Sequence, residues 1–554
     1  MRSLPLFGPC RAAAGFTAGR LLLAAAEDAA FAQLNATQAD VQQLTNSLSG
    51  SAVLLGDPEY DKARNFTQLI NLMYNDAAPA LVVYAASEAD VQGAVRFAAQ
   101  RRRPLCVRSG GHDSTGASIC DKGVVVDISQ MNQIKVDTEN EQAVLGGGVR
   151  FREFIEALAA EGQAALTGDC PTVGAPPALS GSFVVFEKLF GCISGFSLGG
   201  GWGKLTKSKG LGIDNVLSYR VVLPDGRLVV ANETGEYSDL FWALRGGGHQ
   251  NFGVVTGLTY RIFPQDQLLI WNATWDAAAD PQRAAEVFYT WQEKYLNKDP
   301  LELSFYPHFY AERESGVQQV VMYAMYTDMS GGRKAAEKRL RALLEPLEAL
   351  QPEQSSIAAI SPTEMPGVTD GLENIIVAAM PPPGQQPQLW ELKLGQYVNR
   401  SLTLQEYRSM IDGWATWPQL PAGYEGPAFT YAYLEPVEGT AAALPSNATA
   451  YVHRAVGFDV VTDIFFMAVP GAEEAAQAWL DDLYGKRWAP LLSGRAYQNY
   501  PSDAYADPQQ PYKPQQMYFG DNLCRLVALK NKYDPTGVFK PAQGVPLSYP
   551  GCPK

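Results

Sequence analysis

Residues 107–116, V-R-S-G-G-H-D-S-T-G, constrain the fold more than any other stretch of the chain. They follow the apolar run 104–107, which predicts the end of a buried strand. Gly110 and Gly111 let the backbone turn sharply and approach a ligand closely. The N–H groups exposed in such a turn form a concave site for an anion such as a pyrophosphate. We therefore expect an anion-binding turn that contains His112; a tight surface turn with a capping histidine is the alternative.

Further motif blocks follow downstream in a fixed order. Residues 168–174 read G-D-C-P-T-V-G, and residues 198–203 read L-G-G-G-W-G. Near the end of the chain, 518–526 read Y-F-G-D-N-L-C-R-L and 530–539 read K-N-K-Y-D-P-T-G-V-F. Together with R-S-G-G-H, these blocks resemble the berberine bridge enzyme-like branch of the vanillyl-alcohol oxidase superfamily of FAD-linked oxidases. The resemblance covers roughly residues 35–546.

The resemblance implies an α+β fold, in which a PCMH-type FAD-binding domain of two α/β subdomains carries an inserted substrate domain. The chain, at 554 residues, is too long for one hydrophobic core. Short strands alternate with helical spacings in its first half, and aromatic-rich strands with amphipathic helices follow, as in an antiparallel sheet backed by helices. The expected domains are 33–264 for FAD binding, 265–490 for the substrate, and 491–546 for a C-terminal segment that returns to the FAD domain.

The resemblance implies that FAD is bound covalently, through His112 to its 8α carbon and through Cys170 to its C6. Imidazole and thiolate are side chains nucleophilic enough for this chemistry; a buried free thiol is the alternative for Cys170. Val173 would occupy the position that controls access of O2, where a small residue goes with oxidase behaviour. The other expected flavin-binding residues are Arg108, Ser109, Gly110, Gly111, Asp113, Gly116, Thr172, Gly174, Gly199, Gly200, Gly201, Gly203, Gly253, Val254, Val255 and Asn499.

Residues 497–500, Y-Q-N-Y, match the family pattern Y-x-N-Y, and we expect Tyr500 and Tyr497 to be catalytic. Tyr500 is the candidate base for a substrate hydroxyl; packing aromatics are the alternative. A phenol has a reference pKa of about 10, so a neighbouring cation or the flavin is expected to lower the pKa of Tyr500. Glu435, in Y-A-Y-L-E-P, is a second candidate base, although a charge at a strand end is the favoured interpretation. Three other polar residues of these blocks are expected to be structural: His249, His453 and Arg454.

One departure from the family pattern falls beside the expected flavin ring. The family's T-V-G runs directly into x-x-G-x-x-L-G-G-G, whereas residues 175–192 separate these two parts here. This segment is either a real loop that bulges away from the flavin or a gene-model error such as a translated intron. If the protein carries it, flavin attachment at Cys170 and the role of Val173 are both in doubt.

The function implied is that of an oxidase, which takes a hydride from an alcohol or sugar hemiacetal carbon and reduces O2 to H2O2. A carbohydrate is the favoured substrate. An aromatic-alcohol or alkaloid oxidase is the alternative, and a catalytically silent flavoprotein or a binding module is the hypothesis from another class. No G-x-G-x-x-G motif follows a strand, which argues against a nicotinamide cofactor, and no Cys/His spacing indicates a metal. The aromatics of the second domain either stack on sugar or form core: Trp271, Trp275, Phe305, Tyr306, Phe309, Tyr310, Tyr431 and Tyr433.

The net charge of −14 excludes a nucleic-acid partner, because no basic field meets the phosphates. No apolar run is long enough to span a membrane. The start, residues 1–32, is a candidate signal peptide, with an organellar transit peptide as the alternative. One or two disulfides are compatible with the seven cysteines, and the oligomeric state stays open. Secretion as a glycoprotein is also indicated by six N-x-S/T sequons, at Asn35, Asn65, Asn232, Asn272, Asn399 and Asn447.

Overall fold

The computed structural model describes most of the chain. The described residues are 26–64, 74, 76–111, 113, 115–168, 192–265, 267–361, 389–506, 509–510 and 513–553. Several features of the sequence lie outside them: His112, Cys170, Thr172, Val173, Gly174, Asn65, residues 175–191 of the extra segment, and residues 1–25 of the candidate signal peptide.

The first sheet has four strands in the order β1-β2-β4-β3. Strands β2, β4 and β3 run parallel, and β1 is antiparallel to β2. The strands are β1 Ser51–Leu54, β2 Leu81–Tyr84, β3 Leu105–Arg108 and β4 Val124–Asp127. The helices of this region are α1 Gln38–Ser47, α2 Tyr60–Arg64 and α3 Glu88–Arg101. Helix α3 begins at the N-cap Ser87, whose side chain accepts from the N–H of Asp90 in a capping box. This helix returns the chain to β3, so that β3 ends at the glycine turn.

The second sheet has five antiparallel strands in the order β5-β6-β10-β8-β9, and the short strands β7 and β11 pair beside it. The strands are β5 Ile134–Asp137, β6 Gln142–Gly146, β7 Gln163–Ala164, β8 Val216–Val222, β9 Leu228–Asn232, β10 Val254–Arg261 and β11 Phe263–Pro264. The helices are α4 Phe151–Ala159, α5 Ile193–Gly199, α6 Thr206–Lys209 and α7 Ser238–Gly247. Strand β10 joins two cores, because Val254 packs with the first sheet and Val255 with the larger core behind the second.

The third sheet has seven antiparallel strands in the order β15-β12-β14-β13-β17-β18-β16. The strands are β12 Leu268–Asp276, β13 Leu303–Glu312, β14 Gln318–Tyr326, β15 Gln354–Ile360, β16 Leu389–Val398, β17 Phe429–Pro436 and β18 Phe458–Met467. The helices are α8 Pro281–Lys294, α9 Arg333–Glu348, α10 Leu404–Trp414 and α11 Ala472–Asp482. Buried side chains of these helices share one hydrophobic core with the sheet, which gives the expected antiparallel sheet backed by helices.

Alternation along these strands sorts the aromatic side chains, which the sequence left undecided between core and substrate. One set packs with the helices in the main core: Trp271, Trp275, Phe305 and Phe309. The other set lies on the opposite face: Tyr306, Tyr310, Tyr431 and Tyr433. We call this opposite face of the seven-stranded sheet the tyrosine face. The same cluster includes Tyr497 and Tyr500, so the tyrosine face meets the Y-Q-N-Y motif.

The C-terminal segment forms helices α12 Lys513–Phe519 and α13 Leu523–Tyr533. Lys530, which is buried, donates to the carbonyl oxygens of Asn251 and Phe539 at 2.6 Å and to Asp534 at 2.7 Å. Since Asn251 lies three residues before the first residue of β10, this lysine anchors the end of the chain to the second sheet. Single helical turns occur at Gly212–Asp214, Leu483–Arg487, Asp503–Tyr505 and Gly520–Asn522. None of the helices within the described residues has the length and apolar character needed to cross a lipid bilayer.

Candidate active site

The turn after β3 is held in place by a hydrogen bond from its Ser109 side chain to a neighbouring segment of the chain. Ser109 Oγ donates to the Gly147 carbonyl at 2.7 Å, and Ser194 Oγ donates to the same oxygen at 2.6 Å. The turn therefore lies beside the start of helix α5. Gly111 has a φ of 67°, in the left-handed region that glycine tolerates. This backbone gives the expected sharp turn at Gly111, and the expected approach of a ligand to Gly110 and Gly111 stays a prediction.

Neighbouring residues of the motif fix the shape of the loop. Arg108 is buried and pairs with Asp127, and it donates to the Ala63 carbonyl at 3.0 Å, so its guanidinium holds the strand end. Asp113 accepts from the N–H groups of Thr115 at 2.9 Å and Ser118 at 3.0 Å. Gly116 also has a φ of 67°, and a Cβ there would lie 2.7 Å from the Tyr74 side chain. A disulfide between Cys106 and Cys120 closes the chain around this loop.

The second glycine-rich turn receives the Y-Q-N-Y motif. Tyr497 Oη accepts from the N–H groups of Gly201 at 2.6 Å and Trp202 at 3.1 Å. The side-chain amide of Asn499 lies 2.8 Å from the same oxygen. A Cβ on Gly199 would lie 1.7 Å from Asn499 Oδ1, and one on Gly200 would lie 2.8 Å from the Tyr497 ring. The glycines are therefore required by the close approach of this motif.

The four other expected flavin-binding residues of this region fill structural positions. A Cβ on Gly203 would lie 2.0 Å from the Thr167 carbonyl, and one on Gly253 would lie 2.5 Å from the Val222 carbonyl. In β10, two valines are buried: Val254 and Val255. The two glycines thus allow close approach of backbone segments, and the two valines pack into the hydrophobic cores.

Tyr500 and Glu435, the two candidate bases, lie together on the tyrosine face. Tyr500 Oη donates to Glu435 Oε1 at 2.6 Å. Glu435 is 2 % exposed and lies one residue before the end of strand β17, so it is a charge at a strand end, as expected, but a buried one. Burial, and then the Glu435 charge, raise the pKa of Tyr500 well above its ordinary value. The lowering of this pKa that was expected from a cation or the flavin is therefore not produced by the described residues themselves.

A lysine that the sequence did not single out lies beside this pair. Lys393 Nζ, from β16, lies 2.7 Å from Asp463 Oδ2 and donates to Tyr433 Oη at 3.0 Å. It also lies 4.8 Å from the centre of the Tyr500 ring. Burial raises the pKa of the neighbouring Glu391 to about 7. The signal in the sequence was a charge at every second position of an apolar stretch, E-L-K-L at 391–394.

Three further polar residues have the structural roles expected of them. His249 Nε2 lies 3.0 Å from the Gly195 carbonyl, as in a turn histidine with a hydrogen bond. His453 Nε2 lies 2.9 Å from the Tyr518 carbonyl. Arg454 forms a two-pronged ion pair with Asp214, at 2.6 and 2.7 Å.

Cys192, the last residue of the extra segment, is a buried free thiol. Burial raises its pKa to about 12. Since the thiolate is the reactive form of cysteine, Cys192 is not a substitute for Cys170 as a nucleophile.

The residues that surround the two glycine turns fit FAD. Glycines leave the turns at 110–111 and 199–201 without side chains, as the close approach of a dinucleotide requires. Asn499 Oδ1 is buried and has no hydrogen-bond partner, although such atoms are usually paired. An N–H group, which the flavin ring carries, is the partner that this oxygen needs.

Comparisons with known proteins agree with this arrangement. A FAD binding domain matches residues 79–184, and the family described as berberine and berberine like matches residues 496–546. The FAD-linked oxidoreductase OXR1 of Pyricularia oryzae is 29% identical over 478 residues, which cover 84% of each chain.

Solved structures match over nearly the whole chain. The grass pollen allergen Phl p 4, which has glucose dehydrogenase activity, gives a TM-score of 0.72 at 22% identity over 92% of this chain and 99% of its own. The 6-hydroxy-D-nicotine oxidase of Arthrobacter nicotinovorans gives 0.70 at 24% identity over 91% and 99%. These matches confirm the expected α+β fold.

Gly199→Ala is expected to displace the Y-Q-N-Y motif, because the new Cβ would collide with Asn499 Oδ1. We expect a loss of bound flavin and of about 1–3 kcal/mol in the free energy of unfolding. The matched control is Gly195→Ala in the same helix, where a Cβ meets nothing within 4 Å. It should keep its flavin and gain about 0.5–1 kcal/mol. The ratio of flavin to protein absorbance and urea unfolding measure both effects; equal flavin content in the two variants would contradict this account.

Proposed function

Because the chain belongs to the berberine bridge enzyme-like family of FAD-linked oxidoreductases, we propose that it is an oxidase acting on the hemiacetal carbon of a sugar. The hydrogen bond from Tyr500 to the buried Glu435 is the observation that carries this proposal. FAD, when bound, accepts the hydride from the carbon and passes the two electrons to O2, which leaves as H2O2.

The chain's own task is to move the hydroxyl proton. A free phenolate is scarce at neutral pH, because burial raises the pKa of Tyr500. We therefore assign a relay, in which the phenol oxygen takes the substrate proton while the phenol proton moves to Glu435. The ammonium of Lys393, 4.8 Å from the Tyr500 ring, stabilises negative charge that develops on this phenol.

Tyr497 and Asn499 act as positioning residues in this proposal. The hydroxyl oxygen of Tyr497 accepts two backbone N–H groups of the glycine turn, and burial raises the pKa of Tyr497 well above its ordinary value. Since two N–H donors already occupy its oxygen, Tyr497 fits a residue that orients the turn and not one that takes up a proton. This differs from the catalytic role that the sequence suggested for Tyr497.

The cofactor assignment follows the family pattern. We propose that His112 and Cys170 bind FAD covalently, with Val173 beside them as the control of O2 access. The glycine turns, with Thr172 and Gly174, would hold the rest of the flavin. In domain terms, 33–264 and 491–546 would bind FAD, and the intervening 265–490 would bind the substrate.

A sugar is favoured over other alcohols by the polar groups of the tyrosine face. Hydroxyl, carboxylate and ammonium groups from Tyr433, Glu435 and Lys393 stand together there, and a polyol needs several fixed polar partners. The glucose dehydrogenase activity of Phl p 4 agrees with this choice.

An amine oxidase is the second candidate, as in the 6-hydroxy-D-nicotine oxidase that shares the fold. One observation favours it: the acidic side chains of the tyrosine face outnumber Lys393, and they include Glu391, Glu435, Asp459 and Asp463. A catalytically silent flavoprotein is disfavoured, because Tyr500 and Glu435 place a phenol and a carboxylate together in a buried cluster with perturbed pKa values, as is typical of functional sites.

Secretion is proposed from the sequons and from two disulfides, Cys106–Cys120 and Cys524–Cys552. Disulfides persist in oxidising compartments. Asn399 and Asn447 are exposed and therefore open to glycosylation. Asn272 lies within the paired strand β12, where its side chain accepts from Ser356 Oγ at 2.8 Å.

Tyr500→Phe removes the proton acceptor, and Glu435→Gln keeps a hydrogen-bond acceptor but takes no proton. Each is expected to lower kcat by about 10²–10⁴-fold in H2O2-coupled assays with reducing sugars. Tyr407→Phe, a buried tyrosine on the helix side, is the control; a similar loss there would contradict the assignment.

Peptide mass spectrometry of the secreted protein tests both the covalent attachment of FAD and the glycosylation of the sequons. We expect the mass of FAD on the peptides that contain His112 and Cys170, and flavin absorbance that stays with acid-precipitated protein. Glycans are expected at Asn399 and Asn447 but not at Asn272, since an acceptor asparagine must be exposed. Unmodified His112 and Cys170 peptides in yellow protein would mean that FAD is bound without covalent bonds.

A further inference from the structure

His308, in strand β13, has two ring nitrogens that make no hydrogen bond, although the side chain is fully buried. The carbonyl of Tyr306 lies close enough to raise the pKa of the His308 ring slightly, but it does not reach hydrogen-bond geometry with either ring nitrogen. The hydroxyl of Tyr310, two residues further on the same face of the strand, is also buried without a partner. Such unpaired buried groups are rare and costly, so they call for an explanation.

The imidazole lies among the rings of the tyrosine face. It stacks on Tyr431 with ring centres 5.1 Å apart, and it meets Tyr306 and Tyr323 edge to face at 3.9 and 5.4 Å. Tyr433 lies 6.2 Å away, and the next ring along is Tyr500, 6.1 Å from Tyr433. His308 is therefore one ring removed from the proposed proton relay.

The other histidines that the structure describes show what a structural role looks like here. His453 is as buried as His308 and stacks on Tyr397, but its Nε2 lies 2.9 Å from the Tyr518 carbonyl. His249 lies 3.0 Å from the Gly195 carbonyl. His308 alone of these three lacks a protein partner.

We propose that His308 determines substrate specificity by hydrogen bonding to a hydroxyl group of the sugar, with Tyr310 bonding to another. This inference rests on the proposed function and adds the groups that read the sugar away from its reacting carbon. A neutral imidazole has one N–H donor and one acceptor nitrogen. Hydroxyl groups satisfy both, whereas an ammonium only donates and a hydrocarbon ring does neither. The unpaired atoms therefore favour a polyhydroxylated substrate over an amine.

His308 takes no part in proton transfer under this proposal. Burial, and then the positive charge of Lys204, lower its pKa to about 3. The imidazole thus stays neutral throughout the pH range of an oxidase assay. Variants of His308 should therefore alter substrate discrimination and leave the shape of the pH profile unchanged.

The first test compares two buried histidines in the holoenzyme. His308→Phe keeps a ring of similar size and removes both unpaired nitrogens, so we expect the melting temperature to stay the same or to rise. His453→Phe, the matched control, leaves the Tyr518 carbonyl without its partner and should lower the melting temperature. A fall for His308→Phe as large as that for His453→Phe would show a structural role and overturn the proposal.

The second test uses anaerobic reduction of the bound flavin by D-glucose and by its 2-, 3-, 4- and 6-deoxy analogues. For at least one analogue, we expect flavin reduction in the wild type to be roughly tenfold slower than with glucose at the same substrate concentration. A tenfold loss corresponds to about one missing hydrogen bond. His308→Phe should react roughly tenfold more slowly with glucose itself and no longer distinguish that analogue. Unchanged discrimination in this variant would overturn the role of His308 while the oxidase function stands. A wild type that no sugar reduces would overturn the proposed function, and the inference with it.

Discussion

The contact between the turns 199–201 and 497–500 is the interaction on which the site depends. These segments are about 300 residues apart in sequence, and they meet because three successive glycines leave the backbone bare. Tyr497 then accepts two backbone N–H groups, which fixes the direction of the chain that follows. Tyr500 comes next and reaches Glu435 on the seven-stranded sheet. One contact thereby joins the glycine turn, the C-terminal segment and the tyrosine face.

The tyrosine face holds several charged side chains in a buried environment, where charged groups lower the stability of the fold. Lys393 is shared by Asp463, Glu391 and the hydroxyl of Tyr433, all buried or nearly so. Burying such groups costs free energy even when they are paired, and well-packed apolar residues often replace them without loss. Perturbed pKa values in a buried cluster are typical of functional sites. We interpret this buried charge cluster as a loss of folding stability that serves the chemistry proposed at Tyr500.

Much of the fold could be predicted from the sequence, because its signals are local. The Ser87 cap, the glycine turn after β3 and the hairpin of β8 and β9 follow from nearby residues alone. Strands β16 and β18 are hard to predict, since charges at Glu391, Lys393 and Asp463 interrupt their apolar pattern. These residues lie on the tyrosine face, so the charges that hide the strands belong to the cluster for which we propose a function.

The pairing of Tyr500 with Glu435 could not be predicted, since it depends on which strand of the sheet faces the C-terminal turn. Likewise, the aromatic residues could be sorted only once strand register was known: Tyr306 and Phe305 are adjacent in sequence and lie on opposite faces. The unpaired state of His308 is a property of its surroundings and leaves no trace in the sequence.

The most direct test of the account is a crystal structure of the flavin-loaded protein with a lactam analogue of the sugar lactone product. The account predicts that the oxygen at the reacting carbon lies within hydrogen-bond distance of Tyr500 Oη, while Tyr500 keeps its contact with Glu435. An analogue bound with that carbon turned away from Tyr500, or a Tyr500 that has left Glu435, would contradict it.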